Sequence, residues 1–168
     1  MEPAAIGSLT HRALAAVLYA GATSDEAIRA ILREVLVGAR VRQRDRGTYV
    51  AVTCGVHAYL VRCHPGPEWT LAAAEYRLGD VWADFVFVAA AGHDVSNAPV
   101  LVDELKSGLS PRVINDARTR EQLARLFVAS QERWGDRLYG VRLVVPALRI
   151  AHLIHVPNDL MTVKEIAA

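Results

Sequence analysis

The sequence predicts an α/β domain: a central mixed β-sheet flanked by helices, with elements in the order α-β-β-β-α-β-β. Three observations lead there. A capped amphipathic stretch lies near the N-terminus, and short β-branched and aromatic runs fill the middle. One long helical stripe from about residue 116 to 134 then separates those runs from two final ones. Elements ordered this way pack as layers around one sheet.

Thr10 can cap a first helical segment that runs to Tyr19 and is interrupted at Gly21. Thr23 and Glu26, three apart, form a capping-box pattern. Ile28, Ile31, Leu32, Val35 and Leu36 follow at helical spacing, and Gly38 stands where that helix should end. Arg40, Arg42, Arg44 and Arg46 alternate through a polar connection, either a solvated loop or an arm that contacts phosphates.

The residues from Thr48 to Cys54 and from Val56 to Arg62 are rich in β-branched and aromatic types and predict two strands, with Gly55 as a bulge. Leu71 to Arg77 is a weaker strand because of its alanines. Phe85 to Val88 and Val100 to Leu105 are apolar strands joined by a polar turn from Gly92 to Pro99. Ser110-Pro111 suits a helix entrance. The helix from Asp116 to Trp134 buries Leu123, Leu126, Phe127, Ser130 and Trp134, stops at Gly135, and precedes strands over Tyr139–Pro146 and Ile150–Val156.

The 168 residues fit a single domain, and a formal net charge of +1 excludes a wholly basic nucleic-acid coat while leaving room for a local basic groove. No apolar run approaches the roughly 20 residues of a membrane span. Glu2 stands where a signal peptide would carry positive charge. Cys54 and Cys63 are too few for a disulfide framework, so the expectation is a cytoplasmic protein with two free, buried thiols.

Of the 19 basic residues only Lys106 and Lys164 are lysine. A compact ammonium does what a guanidinium cannot beside a reacting phosphate or a metal-bound water. Lys106 lies two residues after Glu104, so a strand directs both side chains to one face and leaves Asp103, a structural residue, on the other. Asp84 stands immediately before Phe85. If the two strands pair as a hairpin, Asp84 and Glu104 converge. Paired carboxylates repel unless a cation neutralises them, and oxygen ligands of this kind suit Mg²⁺ or Mn²⁺.

With Asp84 before one apolar strand and Glu104-Leu105-Lys106 ending the next, the chain resembles the restriction-endonuclease-like superfamily, the PD-(D/E)xK nucleases. The resemblance covers about residues 24 to 156, a restriction-endonuclease-like core, with 1–23 as an N-terminal helical extension. It implies a metal-dependent nuclease acting on DNA rather than RNA, with Asp84 and Glu104 binding Mg²⁺ (or Mn²⁺). The Leu105 carbonyl would be a further ligand, and Lys106 would orient the attacking water. It also implies a metal-site Glu on an early helix, here Glu34 or else Glu26, and a site Gln on the helix after the lysine, here Gln122. Arg40, Arg42, Arg44, Arg118 and Arg125 are candidates for holding the phosphate backbone. A homodimer is implied, as is a possible protein partner supplying specificity.

Two departures stand out. Ala83 replaces the usual Pro, and Asp80 is an alternative to Asp84. Other readings are a catalytically silent nuclease-fold module that binds nucleic acid or protein, and a small interaction protein whose Asp84 and Glu104 lie far apart.

Other patterns carry less. Cys54, His57, Cys63 and His64 lack a zinc spacing, and His152 and His155 lie three apart in a strand and face opposite ways. No nucleophile elbow, phosphate-binding loop or dinucleotide fingerprint occurs. Trp69, Trp82 and Trp134 are expected as core or interface anchors.

Overall fold

A computed structural model describes residues 3–41, 45–89, 97–107 and 116–154. Within them, three helices precede the sheet: α1 (Pro3–Tyr19), α2 (Asp25–Gly38) and α3 (Arg46–Arg62). Strands β1 (Trp69–Leu78), β2 (Val81–Ala89) and β3 (Val100–Leu105) follow. Helix α4 (Ala117–Trp134) then crosses to β4 (Leu138–Val145) and β5 (Ile150–Ile154). The five strands lie in sequence order and form a mixed sheet, parallel only between β3 and β4. That parallel pair requires the helical crossover that α4 supplies.

The fold has three layers. Helices α1 and α3 cover one face of the sheet, with α2 packed against α1, and Leu14, Leu32, Val52 and Tyr59 share one core with Phe85, Phe87, Leu101 and Leu105. Helix α4 covers the other, with Leu123, Leu126 and Phe127 against Val86, Val102, Val141 and Leu143. The α/β class and the flanked mixed sheet are therefore as the sequence predicts. So is the stretch from 116 onward, where the Asp116 side chain caps α4 by accepting from the Thr119 amide and Gly135 ends it at φ 55.

The main correction is α3. Residues 48–62, expected as two strands, are one helix. Their β-branched residues also match helical spacing, and Thr48, Val52, Val56 and Tyr59 all face the core. Packing overrides the β preference, which is weak and dependent on context. Asp45 caps the helix by accepting from the Thr48 amide at 3.2 Å. Gly55 is no bulge. A Cβ there would stand 2.9 Å from Thr10 Cγ2, so the glycine lets α1 and α3 approach closely.

Two helix starts also move. Thr10 lies inside α1, its hydroxyl donating back to the Ile6 carbonyl at 2.9 Å. Ser24 rather than Thr23 caps α2. Asp84 is the fourth residue of β2, which begins earlier than expected, at Val81. Of the two thiols, Cys63 is buried but Cys54 is exposed. Trp82 is exposed, whereas Trp69 and Trp134 are half-buried against Tyr139 and Tyr76. Arg42, Arg44, the turn at 92–96, Ser110-Pro111, His155, Val156 and Lys164 lie outside the described residues. No helix among the described residues is long and apolar enough to cross a membrane.

Candidate functional site

The antiparallel register of β2 and β3 pairs Phe85 with Asp103. One step further along that register, Asp84 stands across from Glu104. The two carboxylates expected to converge therefore do so, at the C-terminal end of β3. Asp84 Oδ2 also accepts the Leu105 amide at 2.6 Å, which ties the β2 carboxylate to the end of β3. The Leu105 side chain lies buried in the core beneath α1 and α3.

Strand parity places Glu104 and Lys106 together on the α4 side. Lys106 Nζ lies 2.8 Å from Glu104 Oε1. Gln122 joins them: its amide nitrogen donates to Glu104 Oε1 at 2.7 Å, and its amide oxygen accepts from Lys106 Nζ at 2.7 Å. Glu104, Gln122 and Lys106 form a closed ring of charge-assisted hydrogen bonds in which each group fixes the other two. Glu104 is nearly fully buried, while Lys106 and Asp84 remain partly open to solvent.

Burial, and then repulsion from Asp84, push the Glu104 carboxyl up to about 7, although the Lys106 ammonium pulls it down. A carboxyl raised this far is deficient in positive charge. Asp84 and Glu104 are hard oxygen donors, and Mg²⁺ typically binds through one or two carboxylates and keeps several waters. Among the described residues no group of three or more His, Cys, Asp or Glu side chains is arranged to hold a metal. An ion here would draw two carboxylates from the protein and its other ligands from water or substrate.

Two residues of the site were not foreseen. His11 on α1 places Nδ1 3.2 Å from Asp84 Oδ1. Burial lowers its pKa, but the hydrogen bond to Asp84 and the charges of Asp84, Glu104 and Glu75 outweigh that and hold it above 6.5. Glu75 on β1 falls between the pairs Ala74–Phe85 and Tyr76–Ala83, opposite Asp84. Its φ of 49 is left-handed, uncommon for a non-glycine residue and rarer still within a strand. Glu75, Asp84 and Glu104 thus occupy one row across three strands.

The remaining candidates lie elsewhere. Asp80 is exposed in the two-residue β1–β2 turn and pairs with Arg125, so that arginine is engaged by a surface acid. Glu34 and Glu26 are exposed on α2 and make no hydrogen bond or ion pair with the cluster; α1, not α2, reaches the site. Arg40, just after α2 at φ 56, and Arg118, in the first turn of α4, are exposed and likewise not bonded to it. Asp103 is structural as expected: buried, it accepts two hydrogen bonds from Arg142 and one from Tyr59.

No family model, curated protein or solved structure matches the chain.

Proposed function

We propose that this protein is a Mg²⁺-dependent nuclease of the PD-(D/E)xK type that hydrolyses phosphodiester bonds, in DNA rather than RNA. One observation carries the reading. Asp84, Glu104 and Lys106, from two adjacent strands, meet at a sheet end with Gln122 bridging the acid and the amine. A surface ion pair would need neither the bridging amide nor the second carboxylate.

Asp84 and Glu104 would hold the metal ion. When bound, Mg²⁺ supplies Lewis-acid charge and lowers the pKa of a coordinated water. The Lys106 ammonium, partly open to solvent, opposes the negative charge that develops on the phosphate. Gln122 fixes both the Lys106 and Glu104 rotamers, so the ammonium is aimed before substrate arrives. His11 and the Leu105 amide hold the two oxygens of Asp84.

The test is a cleavage assay on supercoiled plasmid, single-stranded DNA and RNA, with Mg²⁺ or Mn²⁺ against EDTA. The wild type should cut DNA only with metal, and Asp84→Asn and Lys106→Ala should each lose at least a hundredfold in rate, the order of a charge-stabilising group removed. Cutting that persists in both variants, or none by the wild type on any substrate, rejects the proposal.

A further inference from the structure

We infer that a cleft beside the carboxylate cluster is a subsite for an unpaired nucleotide of the substrate strand. The cleft, about 810 Å³, opens between α1, α3 and the Pro146–Leu148 turn, and Leu105 and Ser107 form part of its wall. Leu105 lines the cleft from the α1–α3 face, opposite the α4 side to which Lys106 points, and its amide donates to Asp84, so the cleft adjoins the Asp84 end of the cluster. The adjoining end of β4 completes the neighbourhood. The Val144 carbonyl accepts the Lys106 amide at 2.8 Å, and the chain then turns through Pro146 to Arg149 at the cleft. Crevices at the carboxyl ends of strands are where open α/β sheets take their ligands.

The lining defines the ligand. Most of it is apolar, as at Ala58, and its permanently charged side chains are Arg62 and Arg149. No carboxylate among the described residues lines it. An apolar wall with guanidinium groups suits an aromatic base whose flanking phosphates are anionic. The volume fits a ligand of nucleotide size rather than a duplex, and a base can enter only once it has left its stack. Arg149 is held at φ 57, a conformation a non-glycine residue rarely takes, at the cleft rim.

The choice of ligand rests on the nuclease reading, and the substrate class follows from it: single strands, flaps or frayed ends in preference to intact duplex. The test measures binding in EDTA, by fluorescence anisotropy of labelled oligothymidylate, oligouridylate and a duplex of equal length. Arg149→Gly is the central variant because glycine accepts φ 57, so the charge is removed without straining the turn. Arg62→Ala removes the second charge, and Ala58→Trp fills the cleft.

Single strands, deoxy or ribo, should bind more tightly than duplex. Each arginine variant should weaken single-strand binding about tenfold. It should also flatten the slope of log affinity against log salt by about 0.7. Ala58→Trp should weaken single-strand binding and leave duplex binding unchanged. Duplex bound as tightly as single strand, or single-strand binding unchanged in Arg149→Gly and Ala58→Trp, overturns the inference. The cleavage assay, on single-stranded DNA and RNA as well as plasmid, separates the two proposals. A wild type that binds oligothymidylate through the cleft yet never cuts keeps the subsite and rejects the nuclease. One that cuts while Arg149→Gly and Ala58→Trp bind unchanged does the reverse.

Discussion

His11 Nδ1 lies 3.2 Å from Asp84 Oδ1, so α1 reaches the carboxylates from one face of the sheet while Gln122 of α4 reaches them from the other. The contact links the titration of His11 to stability. Its folded pKa lies above the ordinary 6.5, so its stabilisation is fully present below 6.5 and is lost as pH rises through the higher folded value. Wild-type denaturant midpoints should therefore fall across that window, and His11→Ala should flatten the fall. A fall equally steep in His11→Ala would show that the pair contributes nothing.

Glu104 acts in the same direction over a lower range. Its carboxyl is raised from 4.5 to about 7, first by burial and then by Asp84, so the folded state holds a proton that the unfolded chain has already released. That stabilisation is complete below 4.5 and gone once pH passes 7. Glu104→Gln carries no charge to bury and should be about 2 kcal/mol more stable than wild type at pH 8. Mg²⁺ should raise the melting temperature of the wild type at pH 8 and leave that of Glu104→Gln unchanged. Thermal denaturation with Mg²⁺ and with EDTA checks both statements.

What could be read from the sequence divides along the range of the interactions. Glu104 lies in β3 and Lys106 just past its end, two residues on, so strand parity alone put them on one side. Asp84 required one long-range assumption, the β2–β3 hairpin, and the observed register supplies it. His11 and Glu75 had no local pattern. A single His on an amphipathic helix and a single Glu in an alanine-rich strand look like solvated residues until α1 and β1 are brought against β2. Helix α3 was misread for a related reason. Thr48, Val50, Val52 and Cys54 satisfy a period of two, and Thr48, Val52, Val56 and Tyr59 a helical one. The Asp45 cap three residues before Thr48 was the local feature that could have decided between them.

The buried pair beneath the site should be far more sensitive than its surface counterparts. Asp103 is fully buried, and Arg142 donates to it from β4 at 2.7 and 2.6 Å while the Tyr59 hydroxyl donates at 2.6 Å. Removing one charge strands the other in the core. Asp103→Ala should cost about 3–5 kcal/mol, and Tyr59→Phe, which removes one hydrogen bond, about 1 kcal/mol. Urea denaturation measures both. An Asp103→Ala cost as small as that of Tyr59→Phe would mean that Arg142 finds another partner or water.

Glu75 offers the sharpest separation of backbone from side chain. Its φ of 49 in the middle of β1 disfavours any residue with a Cβ, and its carboxylate helps to hold the His11 pKa up from the strand position opposite Asp84. Glu75→Ala removes the charge and keeps the Cβ, whereas Glu75→Gly removes both. In an ordinary strand glycine is the less stable of the two, by roughly 0.5–1 kcal/mol. Here the order should reverse, with Glu75→Gly more stable than Glu75→Ala by about 1 kcal/mol. Both variants should lower the His11 pKa by the same amount, read by NMR titration of its imidazole, because both remove the same charge. If only Glu75→Gly moves the His11 titration, the coupling runs through backbone strain and not through the carboxylate.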